Sequence, residues 1–209
     1  MAITTPAPAA APAPPKESGV RPYRWTREAY RRLIDAGIFG EDDRIQLIEG
    51  ELFELPGQRE PHAVAVGLAQ DTLMQTFGAG FHVRVQLPLA LGEYSEPEPD
   101  LSVVRGRRRD YLGRHPGLPD TVVLAVEVAD STLSFDRHRK ASHYAARGIP
   151  EYWIVNLQER VLEVYRDPGP MPDTHYGAGY HTRLIVETNG HVAPLAALGT
   201  PVAVADLLP

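Results

Sequence analysis

Hydrophobic and polar positions along the chain change period several times, and each change marks an element. WTREAYRRLIDAGIF (25–39) has a helical pattern, with Thr26 placed to cap it, Glu28 in its first turn and Gly37 to end it. RIQLIEGELFELP (44–56) alternates and breaks at Glu49–Gly50, which predicts two strands of a hairpin. PHAVAVGLAQDTLMQTFG (61–78) returns to a helical spacing, with Pro61 at its start and Val64, Leu68, Leu73 and Phe77 as the apolar stripe. FHVRVQLPLAL (81–91) and DLSVV (100–104) read as strands.

TVVLAVEVAD (121–130) is apolar except at its ends and at Glu127, so residues 122–129 read as a strand. FDRHRKASHYAARG (135–148) is helical, capped by Ser134 or Asp136 and closed by Gly148. EYWIVN (151–156) and RVLEVYRD (160–167) are further strands, in which Tyr152 and Trp153 are packing residues. HTRLIVETNGHVAPL (181–195) carries Asn189–Gly190, a two-residue hairpin signal. Helices interspersed with strands predict an α/β or α+β domain, a mixed β-sheet flanked by helices.

The first twenty residues have no hydrophobic period and are rich in Pro and Ala, so 1–20 reads as a disordered tail and 21–209 as a single domain. The tail lacks the basic start and apolar run of a secretory signal, and no stretch approaches the roughly 18 apolar residues of a membrane span. The chain has no cysteine, which removes disulfides and thiolate zinc sites from consideration. A cytoplasmic protein is the expectation. The net charge of −6 disfavours a protein that binds nucleic acid by bulk charge alone. One local basic run exists, with Arg105, Arg107, Arg108, Arg109 and Arg114.

Glu127 raises the chemical question. An ionised carboxylate without a partner in an apolar interior costs several kcal/mol, so either Glu127 sits on a wet face or edge or a cation faces it. Asp100 opens a strand directly after Pro99, and Lys140 lies on the helix that follows Glu127. Two carboxylates on neighbouring strands suit Mg²⁺ or Mn²⁺, which take oxygen ligands. A nearby lysine orients water or meets developing charge. His62, at a helix N-terminus that favours anions, is a candidate substrate contact. Tyr144 lies one turn beyond Lys140 and shares its face. Asp136 and Lys140, at i and i+4, also form an ordinary helix-stabilising pair. His138 and His143 are wrongly spaced for a zinc pair, and no GxSxG elbow or P-loop is present.

PEPDLSVV, VVLAVEVADSTLSFDRHRKASHYAARGIPEYWIVN and RVLEVYRD together resemble the Uma-two family of restriction endonucleases, part of the PD-(D/E)XK nuclease superfamily. IQLIEGELFELPGQREPHAVAVGLAQDTL is similar to that family's opening, and the resemblance spans about 25–205. It implies a restriction-endonuclease-like fold and a Mg²⁺-dependent phosphodiesterase site acting on DNA. Asp100 matches the Asp of the Pro-Asp motif, and Glu127 the next acid. The superfamily lysine two residues after that acid is Ala129 here, and Lys140 on the following helix matches the family's lysine instead.

The resemblance also makes Glu49 a metal-site residue and Val128, through its carbonyl, a candidate metal ligand. Arg105 and Arg107 would meet backbone phosphates. Many nucleases of the superfamily dimerise, so a homodimer is one expectation. Two other classes remain open from the sequence: a catalytically silent nuclease-like binding or assembly module, and a metal-free hydrolase using the carboxylate pair.

Overall fold

The computed structural model describes residues 19–40, 42–117 and 121–209. The predicted tail, up to residue 18, lies outside the described residues. Helix α1 (Arg27–Asp35) begins where expected, with the Thr26 hydroxyl accepting from the Ala29 N–H at 3.1 Å. Strands β1 (Ile45–Ile48) and β2 (Glu51–Glu54) form the predicted hairpin. Its loop residues Glu49 and Gly50 have φ of 50° and 86°, the left-handed pair that a two-residue hairpin turn demands.

Helix α2 (Glu60–Thr76) buries Ala65, Val66, Ala69 and Leu73. Its buried face is rotated from the expected stripe: Val64 is exposed, and His62 lies on the buried side.

The main sheet has six strands in the order β3-β4-β5-β6-β7-β8: β3 (Phe81–Val85), β4 (Leu101–Arg105), β5 (Val122–Ala129), β6 (Glu151–Asn156), β7 (Val161–Pro170) and β8 (Ala178–Glu187). Only β5 and β6 run parallel. The connection between them carries α3 (Leu133–Phe135), a π-helical turn (Asp136–Lys140) and α4 (Ala141–Ala146). One sheet face packs on α2, burying Leu101, Val126, Val128 and Trp153. The other packs on α4, burying Ala125, Tyr152, Ile154 and Tyr144. Covering both faces explains why β5 is apolar along nearly its whole length.

Three expectations are corrected. The strand expected over 81–91 stops at Val85, because Gln86 takes φ 47° and Pro88 has no N–H for a ladder. Leu89 and Leu91 beyond it are still buried, in the α4-side core. The helix expected from 135 starts earlier, so Ser134 and Asp136 lie inside it rather than capping it.

The Asn189–Gly190 turn forms, with the Gly190 N–H donating to the Glu187 carbonyl at 2.8 Å, but no hairpin follows it. The next strand, β9 (His191–Val192), pairs with β10 (Val202–Ala203). Val192 and Val202 are buried in the α2-side core, so burial there takes β9 away from β8.

Candidate active site

The register of β4 on β5 builds the centre of the site. Leu101 pairs with Val126 in an antiparallel ladder, so Asp100, one step before, comes opposite Glu127. Asp100 Oδ2 accepts from the Val128 N–H at 2.9 Å and lies 3.1 Å from His62 Nε2. Burial pushes the Asp100 carboxyl up, but His62, Lys140 and the Val128 N–H together hold it below the usual range. His62 reaches this position from the buried face of α2, in that helix's first turn.

Glu127 answers the question its strand raises. It points to the α4 side, where Lys140 Nζ lies 2.8 Å from Oε1 and the Tyr144 hydroxyl donates to the same oxygen at 2.8 Å. Lys140 Nζ is also 3.7 Å from Asp136 Oδ1. The π-helical turn carries both Asp136 and Lys140, and both are buried. A π-turn widens the helix locally and is a common device at functional sites. Asp136 is anchored on its other oxygen, Oδ2, which accepts from the Thr132 hydroxyl at 2.6 Å.

Of the three buried carboxylates around this one ammonium, Glu127 and Asp136 favour keeping a proton and Asp100 does not. Burial pushes Glu127 up to about 8, helped by Asp100 and Asp136 and opposed by Lys140. Asp136 is raised as well, again chiefly by burial. Burial alone would lower Lys140, but its three acidic neighbours outweigh burial and keep it protonated.

Asp100, Glu127 and Lys140 open into a cleft whose other walls include Arg44, Gln58, Arg59, His62, Glu98 and Thr132. Arg44 and the 55–59 segment flank the β1–β2 hairpin, so the hairpin forms one wall. Sequence reasoning missed Arg44, Arg59, Glu98 and the part played by Asp136. The Asp136–Lys140 spacing was visible, but it reads equally well as a solvated helix pair.

The donor set admits a divalent cation in one mode. Among the described residues, no group of three or more His, Asp or Glu side chains is gathered as a metal cage. Asp100 Oδ1 and Glu127 Oε2 accept no hydrogen bond from the described residues, and the cluster carries excess acid. Two carboxylates, with water and substrate oxygens completing the shell, is a mode that Mg²⁺ commonly adopts.

Of the other expected site residues, Tyr144 and Val128 support the acidic pair from behind, while Glu49, Arg105 and Arg107 lie outside the cleft. Glu49 does not line the cleft. It binds Arg147, lies 3.3 Å from Arg24 Nη2 and 3.2 Å from His143 Nδ1, and receives a hydrogen bond from the Ser95 hydroxyl at 3.4 Å. Burial would raise its pKa, but His143 and Arg147 lower it to about 2. Tyr144 is fully buried and reaches the site only through Glu127. Val128 contributes its N–H, and its side chain is in the core.

Arg105 closes β4 at the end away from Asp100, roughly 16 Å along the strand. Its guanidinium lies 5.6 Å from the Phe81 ring centre. Arg107 follows, exposed and 3.5 Å from Asp110.

The chain is thus a mixed sheet flanked by helices, with an acidic pair and a lysine in a cleft at the end of its central strands. The chain belongs to the Uma2 family, described as "Putative restriction endonuclease", whose profile matches residues 27–184. A solved structure, "a putative nuclease belonging to DUF820 from Anabaena variabilis ATCC 29413", superposes with a TM-score of 0.63 at 16% identity. The match covers 88% of this chain and 97% of that one, and supports the fold. No curated protein matches the sequence. Among the described residues, no helix is long and apolar enough to cross a membrane.

Proposed function

We propose that this protein is a metal-dependent endonuclease that hydrolyses DNA phosphodiester bonds. The observation that supports it most is the cross-strand pair Asp100–Glu127, with Lys140 Nζ 2.8 Å from Glu127, at the base of a cleft that also holds Arg44, Arg59 and His62. Asp100 and Glu127 would hold Mg²⁺ or Mn²⁺ through the oxygens that the described residues leave free. When bound, that ion supplies Lewis acidity toward a phosphoryl oxygen and lowers the pKa of its coordinated water.

The chain's own residues do the rest. His62 and the Val128 N–H hold Asp100 in one orientation. Tyr144 and Lys140 fix Glu127. The Lys140 ammonium orients the attacking water and meets the negative charge that grows on the phosphoryl oxygens. Arg44, Arg59 and the N-terminal end of α2 attract the substrate phosphate.

The test is nicking of supercoiled plasmid in Mg²⁺ or Mn²⁺ by wild type, Asp100→Ala, Glu127→Ala and Lys140→Ala. Cleavage that a chelator abolishes and that all three variants lose is the expected result. Cleavage that survives in Glu127→Ala overturns the assignment of the site. Metal binding without cleavage of either DNA or RNA marks a binding module instead.

A further inference from the structure

The outer edge of β8 is open. β8 ends the six-stranded sheet, and no described strand pairs with it beyond β7. The Asn189–Gly190 turn would have brought β9 onto that edge, but β9 pairs with β10. The other end of the sheet is different: β3 is short, and its Phe81 packs against Phe77 at the end of α2.

Natural edge strands are normally blunted by charged side chains, lysine above all, or by proline, a bulge or a covering segment, and the two charges on this one, Arg183 and Glu187, are of opposite sign. The half from Thr182 to Glu187 has neither proline nor lysine, and its pairing with β7 runs in unbroken register from Thr182 to Glu187. Leu184 and Ile185 stand 42% and 47% exposed on opposite faces of it.

We infer that this edge pairs with the same edge of a second copy, giving a two-fold dimer whose sheet runs continuously through both subunits. The proposal is independent of the nuclease reading. A two-fold antiparallel pair must set one residue against its own copy, so the candidate registers can be compared by their cross-strand partners.

Centring on Arg183 opposes two like charges, which destabilises the pair. Centring on Leu184 sets Arg183 against Ile185, and centring on Val186 sets Ile185 against Glu187. Centring on Ile185 sets Ile185 on Ile185, Leu184 on Val186, Arg183 on Glu187 and Thr182 on Thr188. Every pair in that last register is one that stabilises antiparallel sheets.

Arg183 is already held in place by Glu163 at 2.9 Å and stays 46% exposed, so its guanidinium is oriented and still open to a second carboxylate. Glu187 is exposed. The charge complementarity of Arg183 and Glu187 therefore selects a second copy of this chain as the occupant. The chain's own first residues are poor strand partners, because their prolines lack the N–H that a ladder needs.

The chain has no cysteine, so single substitutions create clean probes. Light scattering of the full chain should report twice the 23.0 kDa monomer mass at high concentration, and Ile185→Lys should return it to the monomer. Ile185→Cys should cross-link to itself under mild oxidation or with a short bis-maleimide.

Arg183→Cys and Glu187→Cys should cross-link when mixed and not alone, since identical positions sit about 13 Å apart in this register. A monomeric mass up to hundreds of micromolar overturns the proposal. So does a dimer that Ile185→Lys leaves intact, or cross-linking of Arg183→Cys to itself in preference to Ile185→Cys.

Discussion

Lys140 Nζ sits 2.8 Å from Glu127 Oε1 while both side chains are only 3% exposed. A charge pair this deep is costly to break from one side, because the survivor is left buried without compensation. Above about pH 8, where Glu127 is ionised, Lys140→Met should destabilise the fold by about 3–5 kcal/mol. Adding Glu127→Gln to it should recover a large part of that loss. Urea unfolding of the two single variants and the double variant measures the coupling. A Lys140→Met loss below about 1 kcal/mol would mean that the pair is solvated rather than buried.

The acid excess around Lys140 makes cation binding pH-dependent. Glu127 holds its proton up to about 8, and a carboxylate must lose its proton to ligate a metal. Mn²⁺ affinity should therefore rise with pH below about 8 and level off above it, with proton release on binding near neutral pH. Calorimetry in two buffers of different ionisation enthalpy reads the released protons directly. Affinity independent of pH across that range would exclude Glu127 as a ligand.

Glu49 should contribute to acid stability rather than to the cleft. Its folded pKa, about 2, lies below its ordinary 4.5, so its stabilisation is complete above 4.5 and is lost as pH falls toward 2. Glu49→Gln should cost on the order of 1–3 kcal/mol at neutral pH, and the gap from wild type should close between 4.5 and 2. Denaturant unfolding across that pH range measures it. A gap that persists at pH 2 would mean that charge is not what Glu49 contributes.

Gly50 is the backbone hinge of the hairpin that walls the cleft. Its φ is 86°, and a Cβ there would come within 2.7 Å of Arg24 Cβ. Gly50→Ala should lower stability by about 1–3 kcal/mol, seen as a drop in Tm. It should also weaken any activity of the cleft, because Arg44 and Arg59 flank that hairpin.

Local pattern carried much of this protein. The alternation around Glu49–Gly50, the apolar run of β5 and the Pro-Asp before β4 were all legible, because each depends on neighbouring residues. Resemblance to a known family pointed to Asp100, Glu127 and Lys140 together, and the structure brings those three into one cluster. Glu49 and the arginine run were legible as chemistry but not as location. Glu49 faces Arg147 and His143, and Arg105 stands at the far end of its strand.

By itself the sequence determined most of the elements and the mixed sheet, while the acidic pair and its lysine were singled out through the family resemblance. Periodicity and turn chemistry are short-range properties, and they survive in any packing that buries the same faces. Only the tertiary structure decided that Asp136 joins the cluster through a π-turn, that Arg44 and Arg59 wall the cleft, and that β9 leaves the edge of β8 open. Those outcomes depend on which distant surfaces compete for the same apolar burial and the same buried charge, and no local window of sequence contains that competition.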